Sequence, residues 1–566
     1  MTPTARTEPD EATRASRPKE PMSATATIRV RHHAAPKPIS SEIYGHFLES
    51  AFFGNIEGGV FDEGSPLSVD DDTPLRGCRR DVIDAFRDLG LPIVRWPGGN
   101  FTSPYHFEDG IGPRDERPRR LELAWGSEET NRFGTPEFLS WCEAVGTTPY
   151  LAHSARDVDE AVRWVEYTNY GGDTDFARSR RADGRDEPWD VRVWGVGNEV
   201  YGEWQMGHRP VERYVHDASE HLRFMEQVSP GLSFVAVGSE RQEWTEAVVR
   251  GLGDRIDYVS LHLYAASMQL VDRSTEEWEA VVGQAAYFEH AIGAQSDTIE
   301  RIRGELGFTR PIAIAIDEWN CRHLEPSSWP EPMPGDDGGI ADRGLLPEPS
   351  AAEREGDAGS LRVSRYSPRT LADALLYAGV FHAMHRASQR PVPVGMANAV
   401  NLVNANGVLA VRPDGVVRTA VFHVWDLYQN HTGRIPLETA VTAPSRSLEM
   451  RLGDEHLPSG TFRTMPTTVS LLDVSSTTDA DGVLRVAVIN RSASDAITTE
   501  LDLPEGWSTA GATVRTLGVD AEDLFAVNSL SDPDVVTLSD EREAAFGTDS
   551  SYTFDAHAIT LLLFRA

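Results

Sequence analysis

Val193-Trp194-Gly195-Val196-Gly197-Asn198-Glu199 and Ile312-Ala313-Ile314-Ala315-Ile316-Asp317-Glu318-Trp319-Asn320 read alike. Each is a short apolar run that stops at a carboxylate, the pattern of a buried parallel strand whose last residue emerges into a site. In a closed ring of such strands the carboxyl ends open on one face, so acids far apart in sequence can meet there. One glutamate on a rim means little. Two, with Asn198 before one and Asp317 before the other, point to glycoside hydrolysis, in which one carboxyl protonates the leaving oxygen while the other attacks the sugar or activates water.

Outward from this pair the chain alternates strand and helix. Strands are expected to begin near Ile43, Pro92, Thr148, Val191, Ser233, Tyr258, Ile312 and Val394. Helical periodicity lies between them over Arg80–Leu89, Pro136–Val145, Pro210–Val228 and Leu371–Ala387. Eight such units favour a (β/α)8 TIM barrel over an open doubly wound sheet, and no G-x-G-x-x-G opens a helix after the first strand, which disfavours a dinucleotide fold. On this count Glu199 ends the fourth strand and Glu318 the seventh. Strands three apart face each other across the mouth, which can bring the carboxyls to about 5 to 5.5 Å, the separation of a retaining glycosidase.

The remainder sorts around the barrel, which is expected over residues 41–433. Residues 326–366 interrupt the pattern with Pro, Gly, Asp and Glu; an insertion that long is usually a lid over the mouth or a surface loop without ligand contact. After Thr419–Asn430, the expected last barrel helix, short alternating segments such as Ser447–Leu452, Thr468–Val474, Leu484–Asn490, Ala512–Leu517 and Ala558–Phe564 signal an all-β, jelly-roll-like sandwich over 434–566. The lone alternating strand Thr25–Arg31, within 22–40, has no near neighbour and is expected to join that sandwich. Residues 1–21 are expected to be a disordered leader, with Met22 an alternative start.

Lys and Arg total 53 against 88 Asp and Glu, a formal charge of −35. That field repels polyanions and argues against nucleic acid or an anionic membrane surface as partner; a neutral sugar does not feel it. Lys19 and Lys37 are the only lysines. Such acidity suits adaptation to concentrated salt, where the Debye length shrinks to about 3 Å, and equally suits genomic codon bias. Cys78, Cys142 and Cys321 show no CxxC spacing, so neither a disulfide framework nor a zinc site is indicated. With no apolar h-region near the start and no run of about 18 apolar residues, a cytoplasmic protein is expected. His382 and His385 on one helix, and adjacent His32 and His33, lack a carboxylate at ligand spacing, so no metal is expected. The Asn100-Phe101-Thr102 sequon falls on a barrel rim and is read as chance.

Several motifs together carry a resemblance: Arg95-Trp96-Pro97-Gly98-Gly99-Asn100-Phe101; Phe107 to Arg114; Leu123-Ala124-Trp125 with Asn131-Arg132-Phe133-Gly134; Gly197-Asn198-Glu199 with Trp204-Gln205-Met206-Gly207-His208; and Asp317-Glu318-Trp319-Asn320. From about Ile43 to Gly433 the chain resembles the α-L-arabinofuranosidases of glycoside hydrolase family 51. The resemblance implies Glu199 as acid/base and Glu318 as nucleophile, with no cofactor. It places Glu49, Arg95, Asn100, Asn198 and Tyr264 in a polar cup for the sugar, walled by Trp125 and Trp204, with Asn198 suited to the 2-hydroxyl. Arg95 can alternatively clamp Glu49 and Glu318. His262 is read either as a hydrogen-bonded rim residue or as a direct sugar contact. The family usually shows Gln where Asn401 stands and His where Ser50 stands, which bears on sugar preference.

The chemistry also sets an electrostatic expectation. Glu199 must give a proton and later take one, so its carboxyl is expected to titrate high in the free enzyme and to fall once Glu318 is esterified. A hydrogen bond from Tyr264 is expected to hold Glu318 ionised. The expected activity is retaining, exo-acting hydrolysis of terminal arabinofuranosyl residues from neutral arabino-oligosaccharides or arabinoxylan fragments. A β-xylosidase, an endo-β-glucanase and a catalytically silent sugar-binding protein are the rivals. The resemblance also implies a homo-oligomer, with a hexamer within its range.

Overall fold

The structure is a computed structural model that describes residues 26–50, 54–327, 361–364, 368–452, 463–518, 523–547 and 549–565. The expected leader and most of the 326–366 insertion lie outside the described residues. Eight strands pair in parallel and close on themselves: Gly45–Phe47, Ile93–Trp96, Thr148–His153, Val193–Val196, Ser233–Ala236, Tyr258–Ser267, Ala313–Pro326 and Val394–Val400. Closure is made by Asn398 pairing with Gly45 and by Ala313 pairing with Tyr258. These are first to eighth barrel strands below.

Side chains alternate along a strand, so each barrel strand sends one set inward and one out. Ile93, Tyr150, Ala152, Val193, Val235, Ala315 and Met396 form a small closed cluster, the apolar plug of the barrel interior. Two residues beyond Ile93 and Ala315 come Arg95 and Asp317, and the interior turns from apolar to charged. That change marks the floor of the site.

The outer ring is amphipathic where it faces water. Arg80–Leu89 buries Val82, Ile83, Ala85, Phe86 and Leu89 and stops at Gly90, whose φ of +73° closes the last turn at little cost to a residue without Cβ. Leu371–Ala387 is buried nearly all round because the barrel lies on one side and the sandwich on the other. Here His382 Nδ1 does gain a carboxylate, 3.3 Å from Asp473 Oδ1 of the sandwich, but Arg386 and Arg491 already neutralise that acid.

The sandwich holds two sheets. One runs Glu438–Thr442, Ala26–Arg31, Ile497–Asp502, Ser551–Phe554; the other is built on Leu472–Thr478, Leu484–Asn490, Ala558–Phe564 and Thr513–Gly518. The N-terminal strand does join it, antiparallel to Glu438–Thr442 and parallel to Ile497–Asp502, with Ile28 and Val30 buried against Val486, Val488 and Leu562. One segment departs from expectation. Ser445–Leu452 and Arg463–Ser470 form a hairpin that leaves the sandwich and meets the sixth barrel strand, Leu452 opposite Ala265. Their alternation gave the strand state but not the partner, because both sheets accept the same pattern.

The seventh strand is also longer than its sequence suggested. It continues eight residues past Glu318 to Pro326, where Leu361–Val363 returns antiparallel along Leu324–Pro326. Among the described residues no helix is long and apolar enough to cross a membrane.

Candidate active site

The fourth strand ends at Val196, and the chain turns sharply through Gly197 at φ +93° to Glu199 at φ +41°. A positive φ on a residue with a side chain costs of order 1 kcal/mol and is held by its surroundings; here it turns the carboxyl inward. Glu318 enters directly from the seventh strand. An oxygen of Glu199 and an oxygen of Glu318 lie within 4.8 Å of one another, together with a nitrogen of His262. Both acids are 6% exposed. They share one imidazole: His262 Nδ1 is 2.7 Å from Glu199 Oε1 and 3.5 Å from Glu318 Oε2, while Nε2 is 3.4 Å from Asp317 Oδ1.

Arg95 bridges the two strand ends from below. One guanidinium nitrogen donates to Glu318 Oε1 at 2.9 Å and to the Asp317 carbonyl at 3.1 Å, and the other donates to Asn198 Oδ1 at 2.6 Å. It is therefore a clamp, acting on Glu318 and Asn198 and not on Glu49. Asn198 keeps its amide nitrogen buried and without a protein partner, free to donate to a ligand. Tyr264 donates its hydroxyl to Glu318 Oε2 at 2.6 Å, as its place two residues after His262 suggested.

The two glycines after Trp96-Pro97 let backbone approach the acids. A Cβ on Gly99 would overlap Glu318 Oε1, and one on Gly98 would lie 2.5 Å from Glu49 Cγ. The space they leave is used: Glu49 Oε1 accepts the backbone N–H of Gly99 at 3.1 Å and of Phe101 at 3.0 Å, and Trp125 hydrogen-bonds the same carboxyl.

Four buried acids thus face two buried cations. Burial, and then the charge of Glu318, push the Glu49 carboxyl up to about 8. Burial alone would lower His262, but Glu318, Asp317 and Glu199 outweigh it and hold the imidazole protonated well above its ordinary range. Burial would likewise raise Glu199; the hydrogen bond and charge of His262, with help from Trp204 and Arg322, hold its carboxyl at about 2. This reverses the expectation of a high-titrating Glu199. In the free enzyme the proton sits on His262, one hydrogen bond away from Glu199.

The remaining expected residues divide. Trp204, half exposed, donates its indole N–H to Glu199 Oε2 at 2.9 Å. Asn100 Oδ1 accepts from Gln205, whose amide nitrogen also stands 3.4 Å from Glu199 Oε2 and whose oxygen accepts from Ser103 at 2.7 Å. Asn401 folds back on its own loop, donating to the Ala405 carbonyl at 2.8 Å, and Ser50 accepts from the Trp96 indole at 3.2 Å; among the described residues no hydrogen bond ties either to the cup. Sequence reading missed Gln205, which stood inside a quoted motif, and Tyr150, whose hydroxyl donates to Asp317 Oδ2 at 2.8 Å. Nothing in a strand's apolar pattern marks such an inward phenol.

Among the described residues, two groups of buried side chains have the proximity to hold a metal ion: Glu199, His262 and Glu318, and, behind the site, Cys321, His323 and Asp373. In the second, Arg369 stands 3.4 Å from both His323 Nε2 and Asp373 Oδ1 and supplies the positive charge already. The first is the paired-acid centre itself.

Two facing glutamates, one just past the fourth strand and one within the seventh strand of a closed barrel, clamped by arginine and sharing a histidine, define a barrel glycoside hydrolase. Residues 85–283 match the family model described as alpha-L-arabinofuranosidase 1 domain, and residues 317–558 the alpha-L-arabinofuranosidase C-terminal domain. The probable alpha-L-arabinofuranosidase C of Aspergillus clavatus is 31% identical, covering 96% of this chain and 98% of that protein. An exo-alpha-(1->6)-L-arabinofuranosidase of Bifidobacterium longum is 31% identical over 88% of this chain and 89% of its own length. The solved GH51 alpha-L-arabinofuranosidase of Thermotoga petrophila RKU-1 superposes with a TM-score of 0.77 at 32% identity, covering 95% of this chain and 99% of that one. The chain belongs to the α-L-arabinofuranosidases of glycoside hydrolase family 51. Hydrolysis of α-L-arabinofuranosides, with arabinose-containing glycans as substrates, comes with that membership.

Proposed function

We propose that the enzyme removes terminal arabinofuranosyl residues from neutral arabino-oligosaccharides or arabinoxylan fragments by a retaining double displacement. The observation that carries this reading is the closeness of the two acids, with one oxygen of each within 4.8 Å and both beside one imidazole, which suits the short carboxyl separation of retaining enzymes.

In the first half, a carboxylate oxygen of Glu318 attacks the anomeric carbon. The bond to the aglycone oxygen breaks, and that oxygen takes the proton of Glu199, which His262 supplies across their hydrogen bond. In the second half, Glu199 takes a proton from water, the water oxygen attacks the anomeric carbon, and Glu318 leaves as carboxylate. Arg95 and Tyr264 keep Glu318 aimed throughout. The Asn198 amide has a free N–H for the 2-hydroxyl, a contact that strengthens as charge develops on the ring.

A cytoplasmic location belongs to the same reading: Cys78, Cys142 and Cys321 are free, buried thiols, which suits a reducing compartment. Assembly as a homo-oligomer is part of the proposal and is read directly by light scattering after gel filtration. The test of the activity is a panel of aryl α-L-arabinofuranosides, β-xylosides and β-glucosides, with the anomer of the first product followed by NMR. Arabinofuranoside turnover that releases the retained anomer supports the reading; first release of the inverted anomer, or preference for a β-xyloside or β-glucoside, overturns it.

A further inference from the structure

Among the described residues, the cations of the site are committed, with one exception. Arg95 is taken up by Glu318 and Asn198, and His262 by three carboxylates. Arg322 lies four residues beyond Glu318 on the same strand, about 13 Å further toward the open end at the usual rise per residue. Its guanidinium carbon stands 3.5 Å from the centroid of the Tyr264 ring, the phenol that binds Glu318. It is half-buried. Among the described residues it donates no hydrogen bond and has no carboxylate at ion-pair distance. In a chain where 88 acids outnumber 53 basic residues, an arginine with no acid beside it is conspicuous.

The stack on Tyr264 satisfies one face of the guanidinium and leaves its N–H edge available, the edge that recognises a carboxylate in bidentate fashion. Its position also fixes the side of the sugar it serves. Glu199 and Glu318 hold the anomeric carbon between them at the floor of the cup, so in an exo-acting site the leaving group lies toward the open end, where Arg322 stands four residues beyond Glu318. The half-exposed indole of Trp204, bonded to Glu199, lies on that side too.

We propose that Arg322 recognises a carboxylate on the leaving group, so that the enzyme favours arabinofuranosides whose neighbouring sugar is a uronic acid over neutral ones. This rests on the arabinofuranosidase reading above and extends it to the aglycone. A local cation at this point also offsets the repulsion that a charge of −35 exerts on an acidic glycan.

The test uses a matched pair: an arabinofuranosyl oligosaccharide with a uronic acid next to the cleaved bond, and its methyl ester, which differs only in charge. The quantity read is the ratio of kcat/KM, acid over ester, in the wild type, Arg322→Gln and Arg322→Lys, with an aryl α-L-arabinofuranoside alongside. The expected wild-type ratio is about ten, the worth of one charge-assisted contact, falling to near one in Arg322→Gln and keeping part of its value in Arg322→Lys. A wild-type ratio of one or below, or the same ratio in Arg322→Gln even with all rates reduced, overturns the role of Arg322 while aryl arabinofuranoside turnover leaves the activity standing. Failure to cleave any of the three substrates overturns both.

Discussion

His262 Nδ1 lies 2.7 Å from Glu199 Oε1, and the imidazole, not the carboxyl, holds the proton in the free enzyme. Replacing His262 by Gln removes the main positive charge that keeps Glu199 low. The Glu199 carboxyl then titrates upward, and kcat/KM is expected to fall about 100-fold, the usual worth of placed proton transfer, with its pH profile displaced. An unchanged profile would contradict the pairing. Stability carries the same sign: a raised His262 contributes fully below its unfolded value of about 6.5 and loses that contribution as pH rises through the raised folded value. The gap in Tm between wild type and His262→Gln is therefore expected to be widest in mildly acidic buffer and to close on the alkaline side.

The two glutamates are distinguished by azide. Glu318→Gly is expected to lose at least about 10⁴-fold in turnover, as loss of a nucleophile does, and to yield the anomerically inverted glycosyl azide. Glu199→Ala is expected to keep rapid glycosylation by activated aryl substrates and to give the retained azide. The same stereochemistry from both variants would exchange or abolish the assigned roles.

Glu49 is pushed up to about 8 by burial and by Glu318. A carboxyl raised on folding binds its proton more tightly in the native state, so its contribution is fully present below about 4.5 and drains away as pH climbs to 8. Glu49→Gln keeps the shape without the titration. Chemical denaturation across that range should show the wild type losing ground to the variant with rising pH. Parallel curves would mean that Glu49 is already ionised.

Gly99 is expected to tolerate no side chain, because a Cβ there would overlap Glu318 Oε1. Gly99→Ala should lower kcat by about 100-fold, the cost of misplacing a reacting group by about 1 Å, while the thermal transition moves by only a few degrees. Wild-type kcat in this variant would show that Glu318 has room to shift.

The barrel was legible because each strand ran from an apolar stretch to a polar end, and the helix Leu371–Ala387 was placed to the residue around the long apolar run 374–381. The acids were legible for the same reason: Glu199 and Glu318 interrupt hydrophobic runs. What escaped was set by partners distant in sequence. The hairpin 445–470 shows strand alternation, but whether it joins barrel or sandwich depends on Ala265 lying opposite Leu452. Glu199 was expected to titrate high because its role asks for a proton to give; the imidazole sixty-three positions later decides otherwise. Arg322 carried no pattern, since a single charge in a β run takes meaning only from the Tyr264 ring beneath it.

The strand Ala26–Arg31 is translated ahead of the barrel, yet both its neighbours, Glu438–Thr442 and Ile497–Asp502, emerge more than four hundred residues later. At ribosomal rates of about 10 residues per second, its buried Ile28 and Val30 wait on the order of 40 s for a home, while the whole barrel forms in between. A strand without either of its partners is thus left hanging from the nascent chain until the tail arrives.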